Sequence, residues 1–338
     1  MLIRKCKVME SYSNFIGVDI SKNCLDLCSL SVENPKEMSF AKIENELNAI
    51  NQFLKKLDAQ KLFFCMEDTG IYGMRLYQAL SEKGFKFSVI PAIQIKRSKG
   101  LQRGKSDKAD ARDIAFYALT HQHNLPLYQL PEVDLQELKM LLAEREKLTK
   151  AVKLFGSTAE ATCYADKKAC KALEKNNKKT LDFLKKQLAE AEKLIRELIK
   201  NNAHMKEQDE LLRSIPGIGP QTAIQLISFT KCFTSFDNWR QLACYAGIAP
   251  FPYQSGTSIK GKTKVSHYAQ KKLKSTIHMA ALSSKKYDKQ VKIYYERKVV
   301  EGKQKMSVLN AVSCKLIARA FAVINRGTPY VNTLKYAA

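Results

Sequence analysis

"FIGVDIS" (residues 15–21) is a run of β-favouring apolar residues that ends in a carboxylate and a polar turn. Taken as a strand, it opens a regular succession. "LDLCSLSV" (25–32) and "EMSFAKI" (37–43) follow at hairpin distance. "ELNAINQFLKKLD" (46–58) places Leu47, Ile50, Phe53, Leu54 and Leu57 at helical spacing. "KLFFCMED" (61–68) reads as a buried strand, "GMRLYQALSEKG" (73–84) as a helix closed by Gly84, and "FKFSVIP" (85–91) as a strand stopped by Pro91. The order is β-β-β-α-β-α-β, and one more helix begins within "RGKSDKADARDIA" (103–115). These elements predict an α/β domain over 1–130.

Beyond it the texture changes. Residues 131–208 are charged, with leucines at helical spacing in "LQELKMLLAEREKLTKAVKLF" and "LDFLKKQLAEAEKLIRELIKNN". This predicts an antiparallel helical pair or coiled coil, a spacer or subunit contact with no polar cluster of ligand spacing. A third, mainly helical region over 209–338 opens with "LLRSIPGIGPQTAIQLI" (211–227).

The 338 residues carry 57 Lys and Arg against 33 Asp and Glu, a formal charge of +24, and 45% are hydrophobic. That is enough apolar material for more than one core, and the surplus is the electrostatic footprint of a nucleic-acid partner. No apolar run is read as approaching the roughly 20 residues that span a bilayer. The N-terminus lacks a signal-peptide core, and the nine cysteines form no CxxC pair. A reduced, cytoplasmic, nucleoid-associated protein with no membrane partner is expected.

Asp19 ends the first strand and Glu67 the fourth, and those strand ends can be neighbours. Asp107 and Asp110, three apart, share a helix face. Four carboxylates brought together repel one another unless a divalent cation lies between them, and Mg²⁺ favours such hard oxygen ligands. Each also has an ordinary use: Asp19 as a turn residue, Glu67 capping the next helix, Asp107 as the N-cap in "SDKAD". Taken together, "GVDISK", "MEDTGIYG" and "KSDKADARDIA" resemble the N-terminal blocks of the bridge-RNA-guided insertion-sequence transposases with an Asp-Glu-Asp-Asp signature, to which Piv-type DNA invertases are similar. The resemblance implies a RuvC-like, RNase H fold. It implies that Asp19, Glu67, Asp107 and Asp110 bind Mg²⁺ (or Mn²⁺) and act in catalysis.

In the last region, "SIPGIGPQTAIQLIS" has the form of a helix-hairpin-helix turn, with Gly217 and Gly219 permitting a tight backbone beside a helix N-terminus whose amides suit a phosphate. Spacing allows a plain helix–helix connection equally, and the resemblance implies a DNA- or RNA-backbone contact at these glycines. "YAGIAPFPYQSGTSIKGKTKVSHYAQKKLK" (245–274) reads as a compact Pro/Gly/Ser loop in basic surroundings, with twelve Lys or Arg against two acidic residues between 254 and 300. Arg103, Lys105, Lys260, Lys262, Lys264, Lys271 and Lys272 are the candidate phosphate contacts. Spacing does not choose among Ser255, Ser258, Ser266 and Tyr253 as a nucleophile. The resemblance points to Ser255, with Ser258 in reserve. It further implies a serine–DNA intermediate, exchange between donor and target DNA, a guide RNA, and a dimer or tetramer whose site pairs the carboxylates of one subunit with the serine of another. The competing readings are a hydrolytic RuvC-like nuclease or junction resolvase, and a non-catalytic nucleic-acid-binding protein.

Overall fold

The computed structural model describes residues 12–98, 106–162, 167–255 and 258–332. The chain divides into two compact units, Leu2–Leu130 and, apart from Met1, Pro131–Ala338.

The first unit is built on a five-stranded sheet of β1 (Asn14–Ile20), β2 (Cys24–Ser31), β3 (Met38–Glu44), β4 (Leu62–Glu67) and β5 (Lys86–Ile90) in the order β3-β2-β1-β4-β5. The first three strands form an antiparallel meander, whereas β4 and β5 run parallel to β1. Helices α1 (Leu47–Leu54) and α2 (Met74–Glu82) supply the crossovers that parallel pairing requires. Helices α3 (Ala92–Ser98) and α4 (Asp107–Thr120) follow β5. This is the α/β element order expected from the sequence, with α3 in addition.

Strand alternation sorts the side chains between the two faces. Ile16, Val18 and Ile20 of β1 join Leu25, Leu27, Phe64 and Met66 in a core that also holds Ile50 and Leu54 of α1 and Leu76 and Leu80 of α2. The odd-numbered residues of β1 face the other way. Phe15 there joins Phe63, Cys65, Ile95 of α3 and Ile114 of α4, while Cys28 and Leu30 pack on Ala111 and Ala115. Between them lies Gly17. A Cβ at that position would stand 2.3 Å from the Ala111 carbonyl oxygen and 2.3 Å from the Ala115 nitrogen. Glycine is therefore what lets α4 rest its backbone on the central strand.

The second unit is helical. Helices α5 (Val133–Thr162) and α6 (Lys167–Asn201) form an antiparallel pair, with Arg145 bonded to Glu192 and Asn202 to Asp134. Among the described residues, their buried ones, Leu135, Leu138, Leu142, Ala191, Ile195 and Ile199, lie at one end of the pair. Most of them belong to the same core as α7 (Ala203–Arg213), α8 (Pro220–Thr230), α9 (Trp239–Tyr245), α10 (Lys271–Tyr287), α11 (Lys289–Val300) and α12 (Lys305–Arg326). By length and composition α12 is apolar enough to cross a membrane, contrary to the sequence reading. Here Val312, Leu316, Ile317 and Ala320 are buried in the core. After α8, Lys231, Cys232 and Phe233 all adopt positive φ. That left-handed run costs roughly 1–2 kcal/mol per residue. The Thr230 hydroxyl, accepting from the Phe233 amide, and Gln208, donating to the Cys232 carbonyl, hold it in place.

The segment read as a Pro/Gly/Ser loop is instead an antiparallel hairpin, β6 (Pro250–Ser255) with β7 (Ile259–Val265). Tyr253 pairs with Gly261, and an added Cβ there would meet the tyrosine ring at 2.7 Å. Aromatic cover of a strand glycine, together with alternation in "IKGKTKV", overrides the turn-forming composition.

Gly17→Ala tests the close approach. The clash is with backbone, so no rotamer change relieves it, and overpacking of this kind costs about 1–3 kcal/mol. Thermal unfolding followed by circular dichroism should show a lowered transition for this variant. Melting at the parent temperature would mean that α4 moves off β1 at little cost.

Candidate active site

Asp19 is the next-to-last residue of β1 and Glu67 the last of β4. Val18 is aligned with Met66 in the parallel register, so Asp19 and Glu67 stand at the same level of neighbouring strands. Both have the parity of the residues that face α4, and so does Asp26, aligned with Asp19 across β1 and β2. The helix lying over that face begins with Asp107 and Asp110 in its first turn. The sequence reading of Asp107 as the N-cap needs correction. Ser106 is the cap, and its hydroxyl accepts from the Ala109 amide, so it is not Asp107 that caps the helix. Glu67 does not cap the helix after β4, since the Gly70 amide is taken by Asp68.

The four carboxylates meet electrostatically at Asp19. Its acidity is weakened first by half-burial, then by the negative charges of Asp110, Asp107, Glu67 and Asp26. Asp26 is answered by Lys42 at 3.3 Å. Among the described residues no three acidic, histidine or cysteine side chains lie close enough to share one metal ion as they stand. The donor set fits a hard divalent cation by chemistry, and such a cation would offset the neighbouring negative charges that, after burial, push the Asp19 pKa up.

The loops that follow the two strands are tied together by Asn45, a residue the sequence reading missed. It is buried, and its amide donates to the Ser21 carbonyl at 2.9 Å and the Tyr72 carbonyl at 3.0 Å. Ser21 lies just past Asp19, and Tyr72 lies in the turn after Glu67.

The basic residues around α4 do not all face outward for phosphate. Lys108 lies 4.2 Å from the centre of the Phe40 ring, and Arg112 donates to buried Asp113 at 3.0 Å. Arg103 and Lys105 lie outside the described residues.

In the second unit the two turn glycines differ. Gly217, at φ +101°, is pressed against α10, where a Cβ would meet Ser284 at 2.5 Å, so packing accounts for it. Gly219 is the N-cap of α8 and opens onto free space. Ser255 ends β6, aligned with Ile259, and Ser258 is exposed in the turn that follows. Ser266 accepts from the Tyr268 amide, a turn-forming use of its hydroxyl. Lys260, Lys262 and Lys264 occupy alternate positions of β7, and Tyr253 is 67% exposed. Lys271 is exposed at the start of α10, whereas Lys272 is paired with Glu146 at 2.6 Å.

A family model described as "Transposase", that of the Asp-Glu-Asp-Asp enzymes of IS110 type, matches residues 16–155. One described as "Transposase IS116/IS110/IS902 family" matches residues 209–296. The pilin gene-inverting protein of Moraxella bovis is 27% identical over 324 residues, covering 94% of this chain and 97% of that protein. An uncharacterized 43.6 kDa protein of insertion element IS110 from Streptomyces coelicolor is 33% identical over 120 residues, 36% of this chain and 29% of that one. T. thermophilus RuvC, solved in complex with a Holliday junction substrate, aligns with 35% of this chain and 100% of its own at 11% identity and a TM-score of 0.27. That value adds nothing to the strand order described above.

The matched models together cover more than half of the chain, and they define an enzyme of the transposase and DNA recombinase class. The chain belongs to the IS110-type Asp-Glu-Asp-Asp transposases.

The carboxylate cluster has a pH signature. An acid whose folded pKa is raised keeps its proton above the ordinary value of 3.8, where the unfolded chain has released it. Stability therefore falls as pH rises through that interval and stays reduced at neutral pH. Without divalent ions, Asp19→Asn should melt higher than the parent at neutral pH, and the two should converge as pH drops below 3.8. Calorimetry across pH checks this. A variant that melts lower at neutral pH would show that the charge on Asp19 carries no such cost.

Proposed function

We propose that this transposase cuts and exchanges DNA strands with a divalent cation, Mg²⁺ or Mn²⁺, held by Asp19, Glu67, Asp107 and Asp110. The convergence of those four charges on Asp19 is the observation that carries the reading. The bound cation would supply Lewis-acid stabilisation to a phosphodiester undergoing substitution. The chain's part is to bring the carboxylates together from two parallel strands and the first turn of α4.

The second part of the reading is Ser255 as nucleophile, supported by the family's serine block and by its place at the end of a basic hairpin. The serine oxygen forms a bond to phosphorus as the bond from phosphorus to the sugar oxygen breaks. The proton lost by the serine is balanced by the one gained by the freed sugar hydroxyl. Attack by a hydroxyl of the second DNA reverses the step, so one diester replaces another and no water is consumed. Recognition of donor and target by a structured guide RNA, and a site shared between subunits of a dimer or tetramer, complete the proposal. The strongly basic composition and the family resemblance support both. A hydrolytic nuclease would use the same carboxylates without a covalent step.

Two experiments decide between them. Asp107→Asn or Asp110→Asn should abolish recombination in cells while a gel shift shows DNA binding nearly unchanged, and Mn²⁺ should raise the melting temperature of the parent but not of Asp19→Asn. Normal recombination by both α4 variants would remove the metal reading. On a denaturing gel with labelled donor DNA, Ser255→Ala should lose the protein–DNA adduct, and mixing it with Asp107→Asn should restore some. An adduct that survives Ser255→Ala moves the nucleophile to Ser258 or Tyr253. No adduct under any condition favours the hydrolytic enzyme.

A further inference from the structure

A cleft of about 190 Å³ opens in the second unit between α5, α8 and α10. Small-molecule sites enclose roughly 300–1,000 Å³ and are mostly apolar. This one is too small for a nucleotide, and four cationic side chains, Arg145, Lys150, Lys153 and Lys272, line it beside Leu142, with Glu146 and Gln225. The α5 residues fall on one helix face, Arg145 and Lys153 two turns apart and Glu146 four residues before Lys150.

The charges are arranged around one carboxylate. Glu146 accepts from Lys150 at 2.8 Å and from Lys272 at 2.6 Å. Hydrogen bonds from those two ammonium groups, Lys150 first, hold its pKa down at about 2. Arg145 is paired with Glu192, so two carboxylates stand against four cations and the cleft keeps a net positive charge. Lys153 is exposed at the rim. The Thr276 hydroxyl donates to Gln225 Oε1, which leaves the amide nitrogen of Gln225 as a donor. Lys272 also belongs to the first turn of the 17-residue α10, the end at which helical amides favour an anion.

We propose that this cleft seats a phosphodiester of the nucleic-acid backbone, held by Arg145, Lys150, Lys153 and Lys272, with Glu146 competing for the two lysines it bridges. This rests on the reading of the chain as a nucleic-acid-handling recombinase. It assigns a contact apart from the carboxylate cluster and the serine hairpin. In the free protein Glu146 keeps two flexible ammonium groups in register, and an arriving phosphate draws them from the same direction.

The test uses the full-length protein in chelator, so that cleavage does not intervene. The probes are a random-sequence duplex DNA and a single-stranded RNA of equal length. Affinity is measured across a salt series for the parent, for Lys150→Gln/Lys153→Gln and for Glu146→Gln. Both lysines are largely exposed, so the double variant keeps the fold. Each phosphate that is no longer neutralised makes the slope of log K against log salt shallower by about 0.9 on duplex DNA or about 0.7 on single strands. For the lysine variant the slope should become shallower by about one to two such steps. Glu146→Gln should bind more tightly than the parent at low salt. A change confined to duplex or to RNA identifies which backbone occupies the cleft. An unchanged slope in the lysine variant, or weaker binding by Glu146→Gln, overturns the proposal while parent binding upholds the wider reading. A parent that binds neither probe overturns both.

Discussion

The closeness of α4 to β1 at Gly17 is the constraint on which the candidate active site depends. A helix packed on a sheet through ordinary side chains stands off by the width of those side chains. Here the Ala111 carbonyl and Ala115 amide occupy the space a Cβ would need. That close approach draws the first turn of α4, and with it Asp107 and Asp110, toward the strand carrying Asp19. The alternation of β1 then completes the arrangement, because Phe15, Gly17 and Asp19 share one face while Ile16, Val18 and Ile20 anchor the other.

Convergence of like charges opposes folding, and the first unit balances it with rigidity nearby. Lys42 answers the fifth carboxylate, Asp26, so that one does not add its full charge to the cluster. Asn45 links the turn after β1 to the turn after β4 through one buried amide, and Arg75 secures the same corner by donating to the Asn45 carbonyl at 2.7 Å. Binding sites commonly sacrifice stability for function in this manner. Here burial and the neighbouring carboxylates place such a cost on Asp19.

The strands of the first unit and its helices α1, α2 and α4 were legible because each apolar run keeps one period long enough to be counted, whereas the seven-residue α3 was too short to show one. The ends of β1 and β4 followed from that reading, and so did their adjacency. Asp26 and Asn45 were not legible, since one depends on hairpin register and the other on which turns meet in space. The hairpin of β6 and β7 was hidden by its Pro, Gly and Ser content, while the order that forms it comes from the pairing of Tyr253 with Gly261. Gly217 looked like a phosphate-approach glycine, and only the position of Ser284 reveals a packing role. The apolar content of α12 was broken up for the eye by Asn310, Ser313, Lys315 and Arg319, yet three-dimensional packing gathers its buried face into one core.

The pairing of α5 with α6 has a mechanical consequence. At 30 residues, α5 is about 45 Å long by the usual helical rise, and among the described residues its buried ones, Leu135, Leu138 and Leu142, all lie in the first half. Such an element is a lever with its fulcrum at one end. A rotation of about five degrees at the base carries the tip through about 4 Å, more than the length of a hydrogen bond. Arg145 with Glu192, and Glu146 with Lys272, are braces near the middle of α5 that tie it to its neighbours. Small adjustments at those two ion pairs are therefore magnified into the position of everything the far end touches.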